Sequence, residues 1–490
     1  MRPLIEQRIA KLEEIARRGA SPYPYSFEVS HHSAEITERF EDLSASNEKV
    51  SVAGRLMSMR PHGKSAFGHL RDLPGDIQVY FKFDDLGKEK FEFLDLIDIG
   101  DTVGVVGTVF KTRTGEITIR VSDYELLAKS IRPLPEKWHG LKDRETRYRQ
   151  RYVDLSFNLE IRELFRKRTS IIRSMRAFLD ERGFIEVETP VLQPLYGGGN
   201  AEPFTTHHSA LDMKLYLRIA DELYLKRLLV GGLEKVYELS KDFRNEGIDR
   251  THSPEFTQLE IYQAYTDYHG MMDLFEGMLE RVCLDLQGST RFTYQGQKVD
   301  FKRPWRRISI EAALKEYAGV DLATVTDDAL REACSEIGDQ DWAAMPRGAL
   351  IDEIVGHFVE PRLVEPTLLY DYPVETSPLA KISRKDRRFA ERFEPFAFGM
   401  ELGNAFSELN DPLDQRNRFE SQRETGQAEG QEIDLDFIRA LEYGMPPAGG
   451  LGVGVDRLVM LLTDSHSIRD VILFQQMRHE ADLEEEFDGI

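Results

Sequence analysis

The sequence predicts an α+β protein in which a small β-barrel precedes a larger unit of mixed strands and helices. Three observations carry this. Between residues 50 and 127 the chain passes through five short strand-like segments separated by turn signals. From residue 160 the apolar spacing changes to the period of helices. Residues 234–265 read as two apolar strands, Val236–Leu239 and Phe256–Tyr265, around a polar loop carrying Arg244, Asn245, Glu246, Arg250 and His252.

In chain order, MRPLIEQRIAKLEEIARRGASPYP reads as a charged amphipathic helix ending near Gly19 and a proline-rich link, with no apolar signal core. The segments VSVAGRLMSMR, AFGHLRD, IQVYFKF, DTVGVVGTVFKT and EITIRVSDYELL follow, with turns at Pro74-Gly75 and Thr114-Gly115. Five strands at this spacing suggest the OB-fold, the commonest small barrel that binds oligonucleotides. Phe67, Tyr80, Phe81 and Phe83 lie near Arg55, Arg60, Lys64 and Lys82, a mixture suited to base stacking and phosphate contact. The competing reading makes part of these aromatics core. Gly63-Lys64-Ser65 is not a P-loop, because the position five residues before Gly63 is Ser58 rather than glycine.

Residues 130–155 form a linker with Lys142, Arg144, Arg147, Arg149 and Arg151, either a local basic patch or a helix face of ion pairs. Residues 161–182 have helical apolar spacing and stop at Gly183; FIEVET then reads as a strand ended by Pro190. A glycine-rich loop, YGGGNAEPFTT, could bring backbone close to a ligand. Residues 215–232 read as a helix with Glu222 near its start.

On the strand Phe256–Tyr265, Gln258, Glu260 and Tyr262 share a face by period two, which suggests a small cationic ligand or, more plainly, a polar pair at a sheet rim. Residues 268–286 read as a core helix, and 309–365 as helices without evident chemistry. In EPFAFGMELGNAFSELNDP, Asn404, Phe406 and Glu408 share one face and Glu401 falls on the other, unless Gly403 marks a bulge. GGLGVGVDRLVMLLT runs from a glycine-rich strand into a helix beginning at Asp456 and Arg457; its spacing is not that of a dinucleotide fingerprint.

Composition bounds the function classes. A net charge of −22 argues against non-specific nucleic-acid affinity and leaves room for a local basic patch. No window is apolar enough for a membrane span. Cys283 and Cys334 are far apart and lack metal-ligand spacing, which points to a reduced, cytoplasmic setting. The acidic end DLEEEFDGI reads as a solvated tail.

Taken together these stretches resemble the class II lysyl-tRNA synthetases over nearly the whole chain. FLDERGFIEVETP resembles the first class II motif, FRNEG with HSPEFTQLEIY the second, and GLGVGVDRLVMLL the third. RPLPEKWHGL, THHSALDMKLYLRIADELYLKRLLVGG, NAFSELNDP and RDVILF resemble the lysine branch, with Gln475 standing where proline is expected.

The resemblance implies an antiparallel sheet flanked by helices and a homodimer formed through the first motif. It divides the chain into a lead-in (residues 1–48), an OB-fold anticodon-binding domain (49–129), a linker (130–158), a catalytic domain (159–480) and the tail (481–490). It implies a cytoplasmic enzyme with tRNA(Lys), L-lysine and ATP as partners and Mg2+ as cofactor. Arg244 and Arg457 would be catalytic, binding the α- and γ-phosphates, and Glu246, His252 and Phe256 would complete the ATP site. Gly198, Glu222, Arg244 and Asn404 would hold the amino and carboxylate groups of lysine; Glu260, Tyr262, Phe406 and Glu408 would hold its side chain. Glu394 and Glu401 match the metal carboxylates, and that match turns the parity of Glu401 into an expected kink near Gly403. Phe67, Gln78 and Glu116 match anticodon-reading positions.

Three alternatives remain open. An aspartyl- or asparaginyl-tRNA synthetase would want a cationic or amide-reading pocket in place of Glu260 and Glu408. A protein lysylase would lack the barrel. A catalytically inactive RNA-binding paralogue would have lost Arg244, Glu394, Glu401 or Arg457, all of which are present.

Overall fold

A computed structural model describes residues 2–134, 143–338, 342–424 and 432–478. Most of RPLPEKWHGL, with Lys142, and the acidic tail lie outside the described residues. The chain forms two compact units, Met1–Leu159 and Glu160–Ile490.

In the first unit α1 (Arg2–Arg17) ends before Gly19, whose φ of +76° suits only glycine well. Two short helices, α2 (Ser33–Glu38) and α3 (Phe40–Ser46), lead into the barrel. Its strands are β1 (Lys49–His62), β2 (Ser65–Arg71), β3 (Asp76–Lys82), β4 (Thr102–Lys111) and β5 (Ile117–Ala128), and they close in the order β1-β2-β3-β5-β4. Side chains of β2 and β3 alternate between buried and half-buried, as period two requires. Val52, Leu70, Val79, Phe81, Val105, Ile119 and Val121 fill the interior. A helix the sequence reading did not separate, α4 (Phe83–Phe93), sits between β3 and β4 and buries Leu86.

The basic linker resolves into α5 (Arg144–Arg149) and α6 (Arg151–Phe157). Arg147 and Arg151 both pair with the buried Asp154, at 2.9 and 2.8 Å, and Arg149 pairs with Glu145 at 2.8 Å. These three arginines therefore make internal ion pairs rather than a free basic patch.

The second unit is built on a sheet of nine strands among the described residues. Helix α7 (Leu159–Asp180) crosses into it and is followed by β6 (Ile185–Glu186), β7 (Leu192–Gln193), β8 (Thr205–His208) and β9 (Met213–Leu217). Residues 215–232 are thus not one helix. Leu215 and Leu217 belong to β9, which pairs with β7 and β8, and α8 (Glu222–Val230) begins after Asp221.

Next come the hairpin strands β10 (Lys235–Phe243) and β11 (Glu255–Ala264), then α9 (Tyr268–Gln287). Asp267 caps α9 by accepting from the backbone of His269 and Gly270, and Met271, Met272, Phe275 and Met278 are fully buried against the sheet. A small hairpin, β12 (Arg291–Tyr294) and β13 (Gln297–Asp300), precedes β14 (Arg306–Ser309). Helices α10 (Ile310–Tyr317), α11 (Asp327–Ser335) and α12 (Arg347–Ile354) form their own apolar cluster with Leu369, Phe389 and Phe396.

The chain then supplies β15 (Thr367–Pro373), β16 (Phe389–Ala397), β17 (Met400–Glu401) and β18 (Gly403–Ser407), helices α13 (Pro412–Glu424) and α14 (Leu435–Glu442), and finally β19 (Ala448–Gly454), α15 (Val455–Leu462) and α16 (Ile468–Val471). The strand order is β14-β15-β16-β18-β19-β11-β10-β6, with β17 pairing β16. Pairing is antiparallel except at the two ends, where β14–β15 and β6–β10 are parallel.

Candidate active site

Three adjacent strands set the geometry. In β11, β19 and β18 the register places Glu260 opposite Gly452 and Gly452 opposite Asn404; the next row is Tyr262, Gly450 and Phe406. Because the central strand carries only hydrogen at these rows, the flanking side chains border a trough in the sheet. A Cβ on Gly452 would lie 2.4 Å from Oε1 of Glu260, and one on Gly450 would collide with Glu408 and lie 2.5 Å from Tyr262. Leu451 and Val453, on the opposite face, pack into the core with α9. Alternation along one strand thus separates core from cavity. The trough opens into a cavity of about 600 Å³.

One end of the cavity is anionic. Glu222, at the start of α8, and Glu260 are both 5 % exposed. Tyr262 donates its hydroxyl to Glu260 at 3.1 Å, and Gln258 also donates to Glu260. Burial, reinforced by Glu222 and Asp242, pushes the Glu260 carboxyl well above the usual carboxylate range. Gly198, with φ +82°, packs its backbone beside Glu222: a Cβ there would meet those of Ala220 and Glu222 at 3.2 Å. Glu408 has no exposed surface; its Oε2 contacts the ammonium of Lys226, which also bonds Glu222 at 2.6 Å. The expected pair Glu260 and Glu408 therefore differ: Glu260 lines the cavity, while Glu408 closes the end beyond it with an internal cation already in contact. Behind them Arg218 binds Glu238 at 2.6 Å and Asp242 at 3.2 Å, a buried layer beneath the β10–β11 hairpin.

The other end is cationic. Arg244 follows β10, holds its guanidinium 5.2 Å from the centre of the Phe256 ring, and lines the cavity with Glu246 and His252. Asp249 shapes the loop between them. Its carboxylate accepts from the backbone of Thr251 and His252 and, at 2.7 Å, from His252 Nδ1. Although partial burial opposes it, these bonds hold Asp249 down at about 2. With Nδ1 satisfied, Nε2 of His252 accepts from Arg457 at 3.0 Å. Asp456, beside Arg457, is buried: it accepts from Thr257 N at 2.7 Å and pairs with Arg168 at 2.6 Å, which pins the start of α15 to β11.

The kink expected near Gly403 is present. In β16–β17 Phe396 faces Glu401, whereas in β16–β18 Arg392 faces Phe406, a shift of one residue between Glu401 and Ala405. A Cβ on Gly403 would meet Gly452 O at 2.4 Å, so the close approach needs glycine. The shift brings Glu401 to the same cavity as Asn404 and Phe406, where Arg457 bonds its carbonyl at 2.9 Å and its carboxylate at 3.1 Å. Glu394 is buried and does not line the cavity; it accepts from Tyr372 at 2.6 Å and pairs with Arg392. Burial and the Glu401 charge push the Glu394 carboxyl up against the pull of Arg392. Glu401 presents to the cavity a hard oxygen donor of the kind that suits a divalent cation, while both oxygens of Glu394 are engaged, by Tyr372 and by Arg392. Among the described residues no three His, Cys, Asp or Glu side chains are grouped so as to hold a metal ion together.

In the barrel, Phe67 on β2 lies over Tyr80 on β3 with ring centres 4.5 Å apart, and both are half-buried, whereas Phe81 is core. Gln78 donates to Glu116 at 2.6 Å and accepts from Thr118 at 2.7 Å, and His69 bonds the other Glu116 oxygen at 2.9 Å. Phe67, Gln78 and Glu116 thus share one partly exposed face.

Comparison with known proteins follows this division. Residues 143–478 match the family described as tRNA synthetases class II (D, K and N), and residues 50–127 match the OB-fold nucleic acid binding domain. The chain belongs to the class II tRNA synthetases of the D, K and N group. Its relatives include proteins named lysine–tRNA ligase from Syntrophomonas wolfei (54 % identical over 477 residues, 96 % of each chain) and Carboxydothermus hydrogenoformans (53 % identical, covering 97 % of this chain and 98 % of the other). A third, also named lysine–tRNA ligase, comes from Clostridium botulinum and is 52 % identical over 97 % of this chain.

Within this class II site several residues escaped the sequence reading. Lys226 stands four residues after Glu222, a spacing that was readable, but only the fold brings it to Glu408. Arg392 alternates with Glu394 on one strand and bonds Asn404 at 3.0 Å. Asp352 on α12 lines the cavity, so the 309–365 region contributes a wall and is more than a flank. Gln475 accepts from Arg469 at 2.8 Å, outside the cavity.

Proposed function

We propose that this class II synthetase joins L-lysine to the 3′ end of tRNA(Lys) through a lysyl-adenylate, consuming ATP. One observation carries the reading: a single cavity has carboxylates Glu222 and Glu260 at one end and Arg244 and Arg457 at the other. Lysine brings two ammonium groups and one carboxylate; ATP brings phosphates. The polarity of the cavity suits both at once.

In this reading Glu222 and the Gly198 backbone take the α-amino group. Glu260 and Tyr262 take the side-chain ammonium, Glu408 supports them from the closed end, and Phe406 packs on the aliphatic stem. Asn404 and Arg244 orient the lysine carboxylate toward the α-phosphate. That carboxylate is ionised at neutral pH and needs no general base. It attacks phosphorus, the α–β phosphoanhydride bond breaks, and pyrophosphate leaves. Arg244 stabilises charge on the α-phosphate and Arg457 holds the γ-phosphate; the planar guanidinium suits both tasks. Phe256 stacks on adenine, and Glu246 and His252 contact the nucleotide. Glu394 and Glu401 would hold magnesium, which supplies charge neutralisation of the phosphates when bound.

The barrel face of Phe67, Gln78 and Glu116 reads anticodon bases, by stacking and edge hydrogen bonds. Exposed Ile185, Val191 and Leu192 in the first-motif region support a homodimer formed there. The buried, unpaired thiols of Cys283 and Cys334 suit a cytoplasmic enzyme. Among the described residues no helix is long and apolar enough to cross a membrane.

Amino-acid-dependent ATP–pyrophosphate exchange tests the proposal. Exchange with lysine supports it; exchange with aspartate or asparagine alone overturns it. Charging of tRNA then separates a tRNA ligase from an enzyme that only activates lysine.

A further inference from the structure

Lys226 is a buried cation that the proposed reaction does not use. It has no exposed surface, and its ammonium sits between Glu222, at 2.6 Å, and Glu408. These two carboxylates reach it from different parts of the chain, Glu222 from the first turn of α8 and Glu408 from just past β18. Burial alone would drive the amine neutral; the two carboxylates outweigh it and keep it protonated.

The second oxygen of Glu408, Oε1, lies buried without a hydrogen-bond partner, in the space a Cβ on Gly450 would occupy, on the same face as Tyr262. One carboxylate oxygen is thus committed to the resident ammonium, and the other is turned toward the Gly450 row of the trough.

We propose that Lys226 is a specificity-determining positioning residue: it ties Glu222 to Glu408 and holds the two carboxyl groups in the places from which they meet an amino acid with two ammonium groups. The inference rests on the lysine-ligase reading above. It goes beyond it by making recognition of the two ends of the substrate depend on one internal cation that touches neither.

The test is ATP–pyrophosphate exchange with the full chain and Lys226→Met, a neutral side chain of similar length. Lysine KM should rise about 10- to 100-fold, because two buried carboxylates lose their partner, while ATP KM stays within about threefold. Lys226→Gln, which keeps hydrogen-bond donors and removes only the charge, supplies the same comparison should the Met variant not fold. An unchanged lysine KM overturns the proposal, and so does a parallel rise in the KM of both substrates, which marks a general packing role. Two unfolded neutral variants also overturn it, by assigning Lys226 to folding. Wild-type protein that fails to exchange with lysine refutes the function reading itself and is recognised before any variant is compared.

Discussion

Gly452 and Glu260 face each other across β19 and β11, and a Cβ on the glycine would stand 2.4 Å from Oε1 of the carboxylate and 2.7 Å from Gln258 Nε2. The carboxylate can lie across the neighbouring strand only because that strand has no side chain there. Gly452→Ala should therefore displace Glu260 and raise lysine KM about tenfold or more, with ATP KM little changed. Steady-state exchange kinetics with each substrate varied in turn checks this; equal effects on both would mean that the strand itself had moved.

The two ends of the β10–β11 hairpin should separate by mutation. Arg244→Ala removes the guanidinium beside Phe256 and should lower exchange by about 1000-fold or more with any amino acid, since it acts on the phosphate. Glu260→Gln keeps the shape and one hydrogen-bonding oxygen. It should mainly raise lysine KM, by about 10- to 100-fold, a buried ammonium having lost its charge partner. Unaltered lysine affinity in Glu260→Gln would remove Glu260 from the pocket assignment.

The pocket carboxyls also predict a pH dependence. Burial, helped by neighbouring carboxylates, raises Glu260 well above its ordinary value, and burial pushes Glu408 up to about 8 against the pull of Lys226. An arriving ammonium favours the ionised forms. Below the free-site value each carboxyl is protonated and must release a proton for lysine to bind, so affinity falls on the acid side. Through Glu408, lysine KM should decrease as pH rises from about 6 to about 8, by up to about tenfold per unit for the one proton displaced. Exchange measured across this range with saturating ATP reads the slope; a lysine KM flat over the whole interval contradicts it.

The barrel should act on charging alone. Gln78 is held between Glu116 and Thr118 on the exposed face of the first unit. Gln78→Ala should leave lysine-dependent exchange unchanged and lower kcat/KM for tRNA by about tenfold, the value of a lost hydrogen bond with its partner exposed. A loss of exchange in this variant would contradict an anticodon-reading role.

Much of this was readable in order along the chain. Alternating apolar residues between 50 and 127 specify the barrel strands, because each side chain must choose between interior and solvent. The Glu260–Tyr262 pair was legible from period two, and Arg244, Asp456 and Arg457 from their motifs. The 215–232 segment was misread, because Leu215 and Leu217 fit a helical period as well as a strand and only the partner strands decide between them. The basic linker left two readings open, a patch or a face of ion pairs, and for Arg147, Arg149 and Arg151 the ion pairs with Asp154 and Glu145 decide it.

By itself the sequence determined local matters: which segments alternate, where glycine is required, and which charged residues each motif carries. It also carried the family. Only the tertiary structure decided that Gly450 and Gly452 form the floor between Glu260 and Asn404, and that beyond the expected kink near Gly403 it is Arg457 that meets Glu401. It alone decided that Lys226, rather than a ligand, meets Glu408 first. The reason is physical. Period and propensity act over a few residues, whereas strand register and buried charge pairing join residues far apart in sequence, and their energies exist only after the chain has closed.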